Sequence, residues 1–101
     1  MRNMSIFITI TGFYYDVETK ELNPNQTVIL RKEPTNTYDK EAIMVLKEDL
    51  TKIGYVANSW KTQAKGTYSA GRLYDKMENE SQAKICFVTN EIVIAQLVEE
   101  D

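Results

Sequence analysis

Between Glu33 and Val45 the chain reads EPTNTYDKEAIMV, and in its middle a ring and a carboxylate stand side by side as Tyr38-Asp39. Pro34 has no N–H to give a sheet ladder, so it ends the strand before it. Asn36 and Asp39 are residue types whose side chains bond their own nearby backbone and fix a turn. Such a turn presents Tyr38 from a rigid loop next to an acceptor, an arrangement that can hold a flat ring and an adjacent hydroxyl. In the competing reading Tyr38 folds back onto the core and Asp39 only closes the turn. A second aromatic pair, Tyr14-Tyr15, follows Gly12. If the strand continues through them, they point to opposite faces, so at least one turns away from the core. An outward ring beside a loop tyrosine can sandwich a base, and such stacking is worth about 1–3 kcal/mol per base.

Other chemistries are narrowed by what the chain lacks. It has no histidine, which removes the commonest general base and metal ligand. A single cysteine, Cys86, allows no internal disulfide, no Cys/His zinc site and no Cys-His pair. Cys86 lies in an apolar strand pattern and is expected to be a buried, inert thiol. Only carboxylate chemistry is left to an enzyme, for example a metal-dependent nuclease using Asp39, Glu41 and Glu48-Asp49. No phosphate-cradling Gly-rich Lys motif appears, so the chain carries no motor of its own. No run approaches the roughly 20 apolar residues of a membrane span, and the N-terminus does not read as a signal peptide. A reducing cytoplasm is the expected compartment, and no cofactor is expected.

The net charge of −3 argues against broad nonspecific nucleic-acid binding. The distribution is uneven, however. Residues 52–76 carry Lys52, Lys61, Lys65, Arg72 and Lys76 against Asp75, whereas residues 77–101 carry Lys84 against six acids. The middle of the chain can therefore form a local basic face, unless its lysines are simply scattered and solvated.

The 101 residues predict one domain, 1–101. Ser5–Thr11 alternates, with Ile6, Ile8 and Ile10 on one face and Phe7 and Thr9 on the other, a strand pattern. Further strands are expected over Thr27–Lys32, Ala42–Leu46, Lys52–Val56, Ala83–Thr89 and Ile92–Val98, the last two as a closing hairpin. Arg31 and Lys32, as strand neighbours, face opposite ways. Between the fourth and fifth strands two short helices are expected. One spans Ser59–Lys65, capped by Asn58, with Trp60 and Ala64 one turn apart on one face. The other spans Ala70 to about Met77, capped by Ser69 and weakened by Gly71. Trp60 is assigned to core packing, and Tyr68 and Tyr74 to packing beside the second helix. The fold class is mainly β: a small OB-like six-stranded β-barrel with one or two short helices inserted between strands 4 and 5.

Gly12-Phe13-Tyr14-Tyr15, then Val28-Ile29-Leu30-Arg31-Lys32-Glu33-Pro34, then Asn36-x-Tyr38-Asp39-x-x-Ala42-Ile43-x-Val45, then Ile53-Gly54-Tyr55-Val56 together resemble the HIRAN domain. The match spans nearly the whole chain, and SAGRLYD, Ser69 to Asp75, resembles short free-standing bacterial members. The resemblance implies an OB-like six-stranded barrel with helical inserts. It also implies a module that binds the 3′ end of single-stranded DNA and, in the better-known members, is fused to DNA-remodelling ATPases acting at stalled replication forks. Carried over, it makes Tyr14 or Tyr15 and Tyr38 the stacking residues and Asp39 the acceptor for the terminal 3′-hydroxyl, with Asn36 supporting the loop or a phosphate. The eukaryotic pattern has an Arg ahead of the tyrosines where this chain has Phe13 or Tyr14. The fork-binding members also carry phosphate-holding His and Lys where this chain has Tyr55 and about Asn58. Phosphate contacts supply most nucleic-acid affinity, so weaker binding is expected unless Lys61, Lys65 and Arg72 compensate. The expected partners are single-stranded DNA ends and a separate ATPase, helicase or nuclease, with no membrane. A protein-interaction or structural module on the same barrel is the alternative, favoured by the net charge and the acidic Glu99-Glu100-Asp101 tail.

Overall fold

A computed structural model describes residues 5–12, 22–89 and 92–98. Six strands are formed: β1 Phe7–Thr11, β2 Thr27–Lys32, β3 Ile43–Lys47, β4 Lys52–Val56, β5 Glu80–Val88 and β6 Val93–Leu97. All pairings are antiparallel, and the order β1-β4-β3-β2-β5-β6 closes on itself through the β6–β1 pair. The closed, mainly-β architecture is compatible with the OB-like barrel expected from the strand count. Closure leaves no free sheet edge.

Alternation places Ile8 and Ile10, Val28 and Leu30, Ile43 and Val45, and Ala83 and Ile85 inside, where they are completely or almost completely buried. Register agrees with this sorting: Leu30 pairs with Val45 and Ile10 with Val93. Branched side chains at these positions fill a narrow barrel and leave its ends to the loops. Arg31 and Lys32 do diverge: Arg31 faces out and pairs with Glu80 at 3.0 Å, while the Lys32 ammonium lies 4.3 Å from the centroid of the Tyr74 ring.

Three expectations need correction. First, residues 59–65 form successive turns instead of a helix. The Asn58 side chain that would cap such a helix is engaged elsewhere, and the Ala64 N–H donates to the Thr9 hydroxyl at 3.0 Å rather than to a carbonyl one turn back. Thr67 Oγ1 donates to the Ala64 carbonyl at 2.7 Å, so Thr9 supplies the proton in the 2.9 Å Thr9–Thr67 hydroxyl bond. This closed set straps the segment across the outer face of β1 and explains why Thr9, a polar residue on the outward face, is fully buried. Without the helix Trp60 has no inner face to join, and it is 83% exposed.

Second, the remaining helix, α1, is Ala70–Tyr74, capped by Ser69, and ends at Asp75 short of Met77. The chain must reach Asn79, whose carbonyl accepts from the Lys32 N–H at 2.9 Å as β5 begins. Ala70 and Leu73 are fully buried and join the barrel core. Third, Cys86 is only partly buried. Ala83 and Ile85 point inward, so alternation turns Cys86 outward, and the β5–β6 register shift between Ile85 and Phe87 falls at it.

Candidate functional site

The Glu33–Ala42 loop leaves β2 and enters β3. Its ends are tied by the Glu33 N–H, which donates to the Ala42 carbonyl at 2.9 Å. Asn36 organises the interior. Its Oδ1 accepts the backbone N–H groups of Tyr38 at 2.8 Å and Asp39 at 2.9 Å, the Asx-type turn that the sequence predicts. Its Nδ2 donates to Glu33 Oε1 at 2.7 Å. That same oxygen accepts the Tyr55 hydroxyl of β4 at 2.8 Å. A half-buried carboxylate thus joins the loop to the barrel wall, and a buried acceptor with two good donors is a stable junction.

Asp39 is held next. Oδ1 accepts the Glu41 N–H at 2.9 Å, and Oδ2 accepts Asn58 Nδ2 at 2.8 Å. Asn58 Oδ1 in turn accepts the Gly71 N–H, in the first turn of α1, at 2.9 Å. Gly71 therefore has a positive role despite its weak helix propensity. A Cβ there would stand 2.7 Å from a Glu41 carboxylate oxygen and 3.4 Å from Asn58 Oδ1, so the bare backbone leaves room for both. A carboxylate offers about four lone-pair sites, and these two donors use half of them, so Asp39 keeps capacity for a further donor.

Tyr38 stands clear of this network. Its backbone is fixed, yet the side chain is 96% exposed. The reading in which Tyr38 folds back onto the core does not hold; that in which Asp39 closes the turn holds alongside its exposure to the loop surface.

The structure thus brings Asn36, Tyr38, Asp39, Tyr55 and Asn58 into one connected unit. Tyr55 and Asn58, at positions expected to face phosphates, serve as braces. Lys61 and Arg72 are exposed and lie outside the hydrogen-bond network, although each is near it in sequence. Tyr68 is half-buried against the barrel core, and the Arg72 guanidinium stacks 3.9 Å from its ring centroid. Lys61 lies 5.9 Å from the Trp60 ring. Between Asp49 and Asp75 the sequence has no acidic residue, so Lys61, Lys65 and Arg72 share a stretch with no acid of its own, and the carboxylates that reach it are Asp39 at Asn58 and Glu41 beside Gly71. Tyr14 and Tyr15 lie outside the described residues. Among the described residues, no group of three or more His, Cys, Asp or Glu is placed to hold a metal ion, and no helix is long and apolar enough to cross a membrane.

Sequence reasoning missed two members of the unit, Glu33 and Gly71. The i, i+3 spacing of Glu33 and Asn36 across a proline turn was the available signal for the first. The second, a glycine placed early in a capped helix, reads as a propensity defect until its neighbours are known.

The family model of the HIRAN domain matches residues 3–92, and the chain belongs to that family, whose members are nucleic-acid-binding modules rather than catalytic domains. No curated protein and no solved structure matches the chain.

Proposed function

We propose that this HIRAN domain holds the 3′-terminal nucleotide of a single DNA strand at the Tyr38-Asp39 loop. The observation that carries this reading is the contrast within that loop. Its backbone and Asp39 are fixed by Asn36, Glu41 and Asn58, while the adjacent Tyr38 ring is left 96% exposed. A rigid loop that spends its hydrogen bonds on orientation and leaves an aromatic face in water is preorganised for stacking, which lowers the ordering cost of binding.

Charge selects an end over an interior. Asp39 and Glu41 both stand at this loop, and two carboxylates repel an internal phosphodiester. A terminal hydroxyl instead donates to a free lone pair of Asp39. Tyr14 or Tyr15 supplies the second stacking face in this reading, and Asn36 sets the loop. Lys61 and Arg72 contribute the phosphate attraction, with Tyr55 and Asn58 bracing from behind. In this reading the module works together with a motor, helicase or nuclease.

Fluorescence anisotropy with a 5′-labelled single strand tests the proposal. A hydrogen bond to a charged group contributes about 1.5–3 kcal/mol, so a free 3′-hydroxyl should bind roughly 10- to 150-fold more tightly than a 3′-phosphate. Asp39→Ala should remove that preference, and Tyr38→Ala should weaken both strands with little loss of stability. Equal binding of the two ends by the intact protein would overturn end recognition. Absence of binding at low salt would favour the protein-interaction alternative, to which the net charge of −3 points.

A further inference from the structure

Trp60 is the other strongly exposed ring beside this site, at 83% against 96% for Tyr38. The two rings come from different loops, yet those loops are latched together. Tyr38 immediately precedes Asp39, Asp39 bonds Asn58 at 2.8 Å, and Trp60 follows Asn58 by two residues. Two residues of chain place the Trp60 Cα within about 7 Å of the Asn58 Cα. The Trp60 loop is also fixed at its far side, where the Ala64 N–H meets the buried Thr9 hydroxyl at 3.0 Å. Trp60 is therefore presented from a segment anchored on both sides.

Two lysines flank it in sequence or at its surface, on the side away from Asp39 and Asn58 in the chain. Lys61 holds its ammonium 5.9 Å from the Trp60 ring. A surface depression of about 280 Å³ beside the indole is lined by Trp60, Gln63, Ala64, Lys65 and Gly66. The occupant that fits an exposed indole, flanking lysines and no acid between Asp49 and Asp75 is a polyanion with flat apolar faces. A single strand of nucleic acid has both properties. Aromatic platforms along a positive groove are the general means of holding one.

We infer that Trp60 is a second base-stacking platform, taking a nucleotide upstream of the terminal one, with Lys61 and Lys65 attracting its phosphates. This rests on the reading of the Tyr38-Asp39 loop as the end-binding site and extends it along the strand.

Trp60 is the single tryptophan of the chain, so intrinsic fluorescence reports directly on it. The experiment titrates the intact protein with strands of about two and about eight nucleotides, the longer lying within the 4–16 that one OB-type fold covers. The longer strand should quench Trp60 strongly and the shorter one little. Trp60→Ala should weaken the longer strand by about 5- to 150-fold, with Trp60→Phe recovering part of the loss, and should leave the shorter strand within about twofold. Lys61→Ala and Lys65→Ala should each reduce the salt slope of longer-strand binding by about 0.7. Thermal unfolding of Trp60→Ala should be unchanged, because the ring packs little. If the longer strand binds, loses affinity in Tyr38→Ala, yet neither quenches Trp60 nor responds to Trp60→Ala, the upstream platform is refuted and the end site stands. If no strand binds, both readings fail; a concentration-dependent shift in Trp60 emission would then assign the ring to a contact between copies of the chain.

Discussion

Replacing Asn58 by Ala removes the link between the two loops of the site. Two hydrogen bonds are lost: Asn58 Nδ2 to Asp39 Oδ2 at 2.8 Å, and the Gly71 N–H to Asn58 Oδ1 at 2.9 Å. A bond to a charged group is worth about 1.5–3 kcal/mol and a neutral one about 0.5–1.5. Both lie at the surface, and water can take over the freed groups, so the low end applies and the expected loss is about 1–2 kcal/mol. For a domain of this size that is a fall in Tm of roughly 4–15 °C. Binding should suffer as well, because Asp39 must then be ordered when the hydroxyl arrives. Immobilising one such side chain costs about 0.5–1.5 kcal/mol, or roughly a 2- to 13-fold loss of affinity for a 3′-hydroxyl strand. Asn58→Asp is the sharper companion. It keeps an acceptor for Gly71 but sets a second carboxylate against Asp39, so end-binding should fall further than in Asn58→Ala. Thermal unfolding and anisotropy on the same preparations read both effects. Unchanged Tm and unchanged affinity in Asn58→Ala would refute the claim that Asn58 positions Asp39.

Further expectations follow from the fold around the site. Thr9→Val keeps the shape of a fully buried side chain but strips the acceptor from the Ala64 N–H and the donor to Thr67, and should cost about 1–3 kcal/mol, read by denaturant unfolding, with faster amide exchange at Ala64. Leu50 adopts a left-handed backbone, φ 73°, in the turn between β3 and β4, where it is half exposed. Leu50→Gly relieves about 1–2 kcal/mol of strain against about 0.5–1 of added chain entropy, so a net gain of up to about 1.5 kcal/mol in thermal unfolding is expected. Asp49, in the same turn, is held below the ordinary carboxylate range, chiefly by a hydrogen bond from the Thr51 side chain, then by the Thr51 N–H, with Lys47 adding attraction. A depressed carboxylate stabilises the fold above its unfolded-state pKa of about 3.9, and that contribution fades as pH falls through the lower folded value. A carbon-detected titration should find Asp49 below its ordinary pKa and find it raised in Thr51→Ala.

The strands were the most legible part of the fold, for a simple reason. Ile8 and Ile10 alternate with Thr9 and Thr11, Thr27–Leu30 is rich in β-branched residues, and such short runs bounded by turn signals have few structural meanings. The turn around Asn36 was legible too, since its bonds run to residues two and three positions away. The Ser59–Lys65 segment was not. Trp60 and Ala64 at helical spacing gave a reasonable local pattern, but the segment's shape is decided by Thr9, 55 residues from Ala64 in sequence. A buried hydroxyl on β1 competes for the N–H that a helix would need, and nothing local announces it.

The same contrast holds within the candidate site. Tyr38 and Asp39 could be singled out because ring and carboxylate are adjacent in sequence. The roles of Tyr55 and Asn58 could not, because each depends on a partner 19 or more positions away: Asn58 on Asp39, and Tyr55 on Glu33. As polar residues at positions expected to face phosphates, they read as weak substitutes for a basic pair. In the fold they point into the network and stiffen it. The cations that remain, Lys61, Lys65 and Arg72, stand on the stretch running from Asn58 into α1. Under the proposed end-binding reading, the attraction for phosphate comes from the strapped segment that carries Trp60. A strand held at its end by Tyr38 and Asp39 would be drawn along that segment, so mutations there should change salt dependence and length dependence while leaving the choice of end to Asp39.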